Sequence, residues 1–291
     1  MIKNDVYRNK FLNRHPKKII SKSIVTIIMF IAGIMMLLPF IWMLSTSFKI
    51  QADVYKFPIE WIPKRWNFNN YKEVWLNQNP PFYVYYLNSI KITIICVVGE
   101  LLTSSLAGYG FARLDFKGRD KIFLLYLGTM MIPFQVLMVP RFMLFRWLGI
   151  YNTHWALILP GLFTTLGVFL LRQFFMTIPF ELSESAKIDG ASELRTYWQI
   201  ILPLAKPALA SLAILSFVWR WNDYEGPLIF LTNRKLYTIP LGLTNFIDEM
   251  GGQQDTLIMA ASVSALLPIL IVFFIGQNYF IEGITAGSIK G

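Results

Sequence analysis

The chain has 291 residues, of which 55% are hydrophobic and only 15% are charged. Soluble domains carry about 25% charged residues, so the composition excludes an ordinary soluble enzyme and indicates a membrane protein with several spans. The net charge of +10 resembles that of nucleic-acid-binding proteins, but its placement along the chain fits a membrane-orientation signal and no nucleic-acid partner. The single cysteine, Cys96, excludes an internal disulfide.

Hydrophobic runs close to the roughly 20 residues that a bilayer core requires recur along the sequence. The first run follows a basic segment, but it is longer than a signal-peptide core and lacks a small-residue cleavage site, so we expect it to be retained. The pattern predicts an all-α, polytopic membrane protein with six transmembrane helices. The predicted spans are Ile24–Leu44, Leu87–Phe111, Ile122–Leu144, Trp155–Phe175, Leu204–Trp221 and Leu257–Phe280.

Lysine and arginine residues are unevenly divided between the two sides of these spans. With the amino-terminal tail inside, sixteen of them lie on the inner side and nine on the outer side. Since cytoplasmic loops are enriched in these residues, we predict a bacterial cell-membrane protein with both termini in the cytoplasm. Residues 1–82 form a tail, the first span and an external loop, residues 83–280 form a five-span core, and residues 281–291 form a cytoplasmic tail.

A polar segment at residues 179–207 connects the fourth and fifth predicted spans. Pro179 suits the first turn of a helix, and Asp189-Gly190 should end that helix because glycine accepts a left-handed backbone. Ser192 is then a predicted N-cap for a second helix. Small side chains, such as that of Ala186, should permit close approach by a partner. These residues alone leave open whether the segment is a simple connector or a docking element.

The same segment resembles the EAA loop of ABC importer permeases, in which E-A-A is followed by three residues, G, nine residues and I-x-L-P. Here Glu184, Ala186, Gly190, Ile200 and Leu202-Pro203 keep that spacing, and Ser185 replaces the middle alanine. The core is also similar to MalG-like permease subunits of carbohydrate importers. The stretches that carry this likeness are "LAGYGFARLDFKGRD" (Leu106–Asp120), "MIPFQVLMVP" (Met131–Pro140), "WNDYEGPLIFL" (Trp221–Leu231), "LYTIPLGL" (Leu236–Leu243) and "GITAGSIKG" (Gly283–Gly291).

The resemblance implies the type I permease fold of ABC importers and a coupling role for the polar loop. The implied partners are a second, MalF-like permease subunit, two ATPase subunits, an extracytoplasmic sugar-binding protein and the sugar itself. The sequence has no phosphate-binding G-x-x-x-x-G-K-[ST] motif, so ATP and Mg²⁺ are expected on the ATPase subunits, with no cofactor or catalytic site in this chain. The resemblance assigns ATPase coupling to Glu184, Ser185, Ala186, Asp189, Gly190 and Ala191.

Ionisable and aromatic side chains near the spans are candidates for the translocation pathway. An ionisable group within a span usually faces a bundle interior or an aqueous cavity, so Glu100 either lines a cavity or makes a hydrogen-bonded structural contact. Trp221, Asn222 and Asp223 combine an aromatic face with polar groups, as a sugar site would. Because tryptophan also marks the membrane interface, we favour an interfacial belt there.

Three other functions need consideration. The cargo of an ABC importer permease can be a solute other than a sugar. An ion-coupled secondary transporter would carry a coupling-ion site and often inverted repeats, and the sequence displays neither. An intramembrane enzyme would carry a catalytic constellation, and the two histidines, His15 and His154, are too isolated to form one.

Overall fold

A computed structural model describes residues 16–246 and 254–288, with side chains for residues 22–246 and 254–277. The described part is helical and contains no β-strand. The predicted basic residues before residue 16 and the last three residues lie outside it. The helices are α1 (Pro16–Ser47), α2 (Asn69–Lys72), α3 (Phe82–Arg113), α4 (Arg119–Gly128), α5 (Phe134–Trp147), α6 (Trp155–Gly161), α7 (Thr165–Thr177), α8 (Glu181–Ile188), α9 (Glu193–Thr196), α10 (Leu202–Leu204), α11 (Lys206–Trp221), α12 (Glu225–Phe230), α13 (Ile239–Gly242) and α14 (Asp255–Ser288).

Four helical segments are long and apolar enough to cross a membrane. They are Lys22–Ser47, Phe82–Arg113, Trp155–Thr177 and Asp255–Gln277. Two further segments are helix pairs with a sharp bend, and the total reaches six if each pair is one span. An all-α membrane fold is therefore confirmed, and the number of six spans stays a prediction.

The third predicted span is not one continuous helix. Its two halves, Arg119–Met131 and Phe134–Trp147, meet at 96°. Ile132 between them has an extended backbone, with φ −84° and ψ 112°, because the ring of Pro133 disfavours a helical conformation in the residue before it. The predicted span Ile122–Leu144 is therefore interrupted at Ile132 and Pro133, and whether the two halves form one span stays a prediction.

Helix α3 lies at the centre of the bundle. It packs against α7 and α11, while α14 packs against α11 and α1. The core that joins α3, α7 and α11 includes Tyr109, Leu171, Phe175 and Leu212, each at most 5% exposed. Most side chains of α1 are exposed in the isolated chain, as expected for an apolar helix whose neighbours are lipid or another chain.

The segment between α1 and α3 is folded onto the core. The amide of Asn70 donates hydrogen bonds to the carbonyl oxygens of Ser47 and Lys49, both at 2.8 Å. Val74 is fully buried in a cluster with Phe82 and Trp221. This segment is therefore ordered against the chain's own helices, and the predicted boundary near residue 83 stays a prediction.

Candidate functional site: the loop between α7 and α11

The first helix of the polar loop ends where the sequence predicts. Gly190 has a left-handed backbone with φ +77°. The Ala191 N–H donates to the Ala186 carbonyl at 2.8 Å, and the Gly190 N–H donates to the Lys187 carbonyl at 3.0 Å. These two bonds form a Schellman motif, which satisfies the carbonyls at the end of α8. The turn between α8 and α9 is therefore set by the chain's local chemistry.

The second helix begins at the predicted cap. The Ser192 hydroxyl accepts a hydrogen bond from the Arg195 N–H at 3.3 Å, which occupies one of the free donors at the start of a helix. Across the turn, the Lys187 ammonium lies 2.7 Å from the Glu193 carboxylate. That hydrogen bond lowers the pKa of Glu193 below its ordinary value. The ion pair thus links α8 directly to α9.

Two hydrogen bonds tie α9 and the residue that follows it to α3. The Tyr109 hydroxyl donates to the Glu193 carboxylate at 2.9 Å, and the hydroxyls of Ser105 and Tyr197 lie 2.7 Å apart. The two α3 residues are one turn apart, and so are their two partners, so each helix presents its pair on a single face. Helix α3 and the loop are therefore joined by hydrogen bonds at two positions that lie one helical turn apart.

One turn further along α3, Arg113 fastens the start of the loop. Its guanidinium donates to the Phe175 carbonyl at 2.7 Å, to the nearby Ile178 carbonyl, and to the Pro179 carbonyl at 3.4 Å. Phe175 lies in the last turn of α7, and Ile178 and Pro179 follow that helix, so Arg113 supplies donors to carbonyls that regular helix bonds do not use. A polar stripe on α3 thus holds both the entry to the loop and its second helix.

The exposed surface of the loop carries two large apolar side chains that were not among the predicted site residues. Ile188 is 87% exposed and Leu194 is 64% exposed, on either side of the glycine turn. The signal that could have identified them is an apolar residue on each flank of a polar turn. Among the predicted coupling residues, Glu184, Ser185, Asp189 and Gly190 are exposed, Ala191 is half-buried and Ala186 is buried.

The small side chain of Ala186 faces the protein interior and is only 5% exposed. It lies in the turn of α8 that also carries the buried Ser183. The side chain of Ala186 therefore packs inside this chain, and its assignment to ATPase coupling stays a prediction. Its backbone carbonyl instead closes the turn at Gly190.

Glu100 is buried, at 4% exposure, and makes contacts with two other parts of the bundle. Its carboxylate accepts hydrogen bonds from the hydroxyls of Thr164 and Ser216, both at 2.6 Å. The Arg220 guanidinium lies 3.9 Å away. These contacts join α3 to the α6–α7 junction and to α11, in agreement with the structural-contact interpretation. A pathway role for Glu100 stays a prediction.

The aromatic cluster at the end of α11 divides into buried and exposed members. Trp221 is 2% exposed, packs on Tyr86 and Phe217, and donates from its indole N–H to the Ala265 carbonyl at 2.9 Å. An interfacial belt position is thus wrong for Trp221. Asn222 is exposed and bonds the Val218 carbonyl at 2.8 Å, whereas Asp223 lines a cavity between α5, α6, α11 and α12.

Comparison with known proteins places this architecture in one family. Residues 101–285 match the family described as "Binding-protein-dependent transport system inner membrane component". The match covers α8, α9 and the polar stripe of α3 as well as the cavity beside Asp223. The chain belongs to this family of ABC importer permeases.

Several relatives that match most of the chain carry the names of sugar transporters. The chain is 42% identical over 210 residues to the arabinooligosaccharides transport system permease protein AraQ of Halalkalibacterium halodurans, covering 72% of this chain and 75% of that protein. It is 33% identical to AraQ of Bacillus subtilis, over 96% of this chain and 100% of the relative. It is 36% identical to the trehalose/maltose transport system permease protein MalG of Thermococcus litoralis, over 89% and 93%.

A solved structure has the same arrangement of helices. It is the crystal structure of a bacterial ABC transporter involved in the import of the acidic polysaccharide alginate, with a TM-score of 0.82 and 25% sequence identity. The likeness covers 91% of this chain and 98% of that chain. The predicted permease fold of an ABC importer is therefore confirmed.

Proposed function

We propose that this chain is a membrane permease subunit of an ATP-driven importer whose cargo is an oligosaccharide. The relatives named for arabinooligosaccharide and trehalose/maltose transport support this cargo class, since they match over most of both chains. The chain acts as a gate without catalysing a reaction, and it forms half of the translocation pathway. The other half comes from a second, MalF-like permease subunit, and an extracytoplasmic binding protein delivers the sugar.

The loop between α7 and α11 is the coupling element of this permease. We propose that α8, the Gly190 turn and α9 dock on an ATPase subunit, and that this subunit binds the ATP and Mg²⁺. The observation that carries this proposal is a loop that is hydrogen-bonded to α3 and exposes two apolar side chains, Ile188 and Leu194. Apolar surface exposed at a polar loop is typical of an interaction site.

The hydrogen bonds between the loop and α3 would transmit movement of the loop to the transmembrane helices. When the docked ATPase subunits close on ATP, the loop moves as one body because the Schellman turn and the Lys187–Glu193 pair hold its two helices together. The bonds from Tyr109 and Ser105 then pass that movement to α3, in addition to the covalent path through α11. As a result, the pathway between the two permease subunits changes the side of the membrane to which it is open.

Uptake measurements with partner subunits test this function. The chain is produced with its partner permease and ATPase subunits, reconstituted in liposomes with the binding protein, and supplied with labelled arabinotriose or maltotriose. We expect uptake that requires internal ATP and both kinds of partner subunit. Uptake by this chain alone, driven by a proton or sodium gradient, would instead identify a secondary transporter.

The orientation in the membrane follows from the charge distribution. We propose that both termini lie in the cytoplasm, so that the coupling loop faces the ATPase subunits. Fusions of alkaline phosphatase, which is active only outside the cytoplasm, should be inactive at residue 1 and at residue 291. An active fusion at either end would show that this terminus lies outside the cytoplasm and would contradict the proposed orientation.

A further inference from the structure

A polar cavity lies among helices that do not belong to the coupling loop. It has a volume of about 400 Å³ and opens between α5, α6, α11 and α12. Its wall includes the side chains of Arg141, Trp219, Arg220, Asp223 and Glu225. The volume lies within the range of roughly 300–1,000 Å³ that is usual for small-molecule sites.

The charged groups of this cavity are incompletely paired with one another. Asp223 accepts a hydrogen bond from the Gly226 N–H at 3.1 Å, and Arg220 is directed toward Glu100 at 3.9 Å. Within residues 22–246 and 254–277, Arg141, Asp223 and Glu225 form no ion pair. Their remaining donors and acceptors are free to contact a polar solute that enters the cavity.

Four aromatic side chains line the cavity, and that of Trp219 is accessible. Trp219 is 62% exposed, in contrast to its neighbour Trp221. An indole face beside carboxylate and guanidinium groups suits a sugar ring, which has an apolar face and a rim of hydroxyls that both donate and accept hydrogen bonds.

The charges of the cavity wall distinguish neutral sugars from acidic ones. Since Arg220 faces Glu100, one cation, Arg141, remains against two anions, Asp223 and Glu225. A carboxylated sugar would bring a further negative charge to this wall, and placing like charges beside one another opposes binding. The wall therefore favours neutral sugar units over uronic acids.

We propose that this subunit binds a neutral sugar unit directly in the cavity, with Trp219 against the ring and Asp223 accepting from its hydroxyls. This inference rests on the proposed function, because it assigns part of the sugar contact to this chain. It goes further by placing that contact in one cavity and by excluding acidic sugars as preferred cargo.

The test measures trisaccharide imported per ATP hydrolysed in the complete reconstituted importer. The probes are the neutral maltotriose and arabinotriose and the acidic trigalacturonate. The variants are Trp219→Ala and Asp223→Asn, and the matched control is Trp155→Ala. Trp155 is similarly exposed, at 57%, and is not among the cavity-lining residues. Because Trp219 is largely exposed, its replacement should leave the fold intact.

We expect each cavity variant to lower import of at least one neutral trisaccharide per ATP by roughly tenfold, as the loss of a charge-assisted hydrogen bond or of ring contact does. The Trp155→Ala importer should keep the wild-type ratio, and trigalacturonate should be imported poorly by the wild type. Unchanged ratios in both cavity variants, or equal import of acidic and neutral probes, would overturn the inference while leaving the importer function intact. A wild-type importer that hydrolyses ATP and moves none of the probes would overturn the proposed sugar cargo itself.

Discussion

The Tyr109 hydroxyl donates a 2.9 Å hydrogen bond to the Glu193 carboxylate, across 84 residues of sequence. This bond connects the central helix α3 to α9, the second helix of the proposed coupling loop. The same carboxylate also pairs with Lys187 at 2.7 Å. One acidic side chain therefore joins α3, α8 and α9.

Replacing Tyr109 with phenylalanine removes that bond and keeps the buried ring. Because Glu193 is partly exposed and retains Lys187, we expect a cost of about 1 kcal/mol, with normal assembly and a severalfold loss of transport per ATP hydrolysed. Tyr83→Phe on the same helix is the control, since Tyr83 is 43% exposed. Equal coupling in the two variants would show that α3 receives no force through Tyr109.

Replacing Ile188 with serine tests the exposed tip of the loop. If this side chain is buried against an ATPase subunit, its loss should remove about 1.5–3 kcal/mol of apolar burial and weaken ATPase association by tenfold or more. Pull-down of the ATPase subunit from detergent-solubilised importer measures this. Leu76→Ser, at a 58% exposed position outside the loop, is the control. Association at the wild-type level in Ile188→Ser would remove this residue from the interface.

Replacing Glu100 with leucine should affect assembly more than cargo preference. The variant leaves the hydroxyls of Thr164 and Ser216 without their acceptor and Arg220 without its carboxylate. Breaking a buried charged contact costs about 3–5 kcal/mol, so the unfolding temperature in detergent should fall markedly. Ser216→Ala, which removes one donor, should cause a smaller decrease. A changed sugar preference with an unchanged unfolding temperature would assign Glu100 to the pathway.

The parts of the site that depend on neighbouring residues could be predicted from the sequence. The end of α8 at Gly190 and the cap at Ser192 follow from backbone freedom and side-chain hydrogen bonding within a few residues. The bend at Pro133 also has a local cause, because proline disfavours a helical backbone in the residue before it. A prediction of spans from hydrophobicity alone does not detect this bend.

The long-range contacts could not be predicted in the same way. Thr164 and Ser216 are 64 and 116 residues from Glu100, and their meeting depends on how α3, α7 and α11 pack. Trp221 illustrates the same limit, since a tryptophan near the end of a span suits both the membrane interface and a helix contact. Its hydrogen bond to Ala265 depends on the position of α14.

The most direct test of the coupling loop is ATPase association of Gly190→Val. Gly190 has φ +77°, and beyond its two chain neighbours no residue comes within 4 Å of the position that a β-carbon would take there. Valine should therefore strain the turn by roughly 1–2 kcal/mol without a clash inside the chain.

Gly149→Val is the matched control, because Gly149 has φ +70° and equally open surroundings in a different loop. Both variants should insert and accumulate normally. We predict that Gly190→Val alone co-purifies with less ATPase subunit and loses stimulation of ATP hydrolysis by the sugar-loaded binding protein. Full association and normal transport in Gly190→Val would contradict the coupling role of this loop.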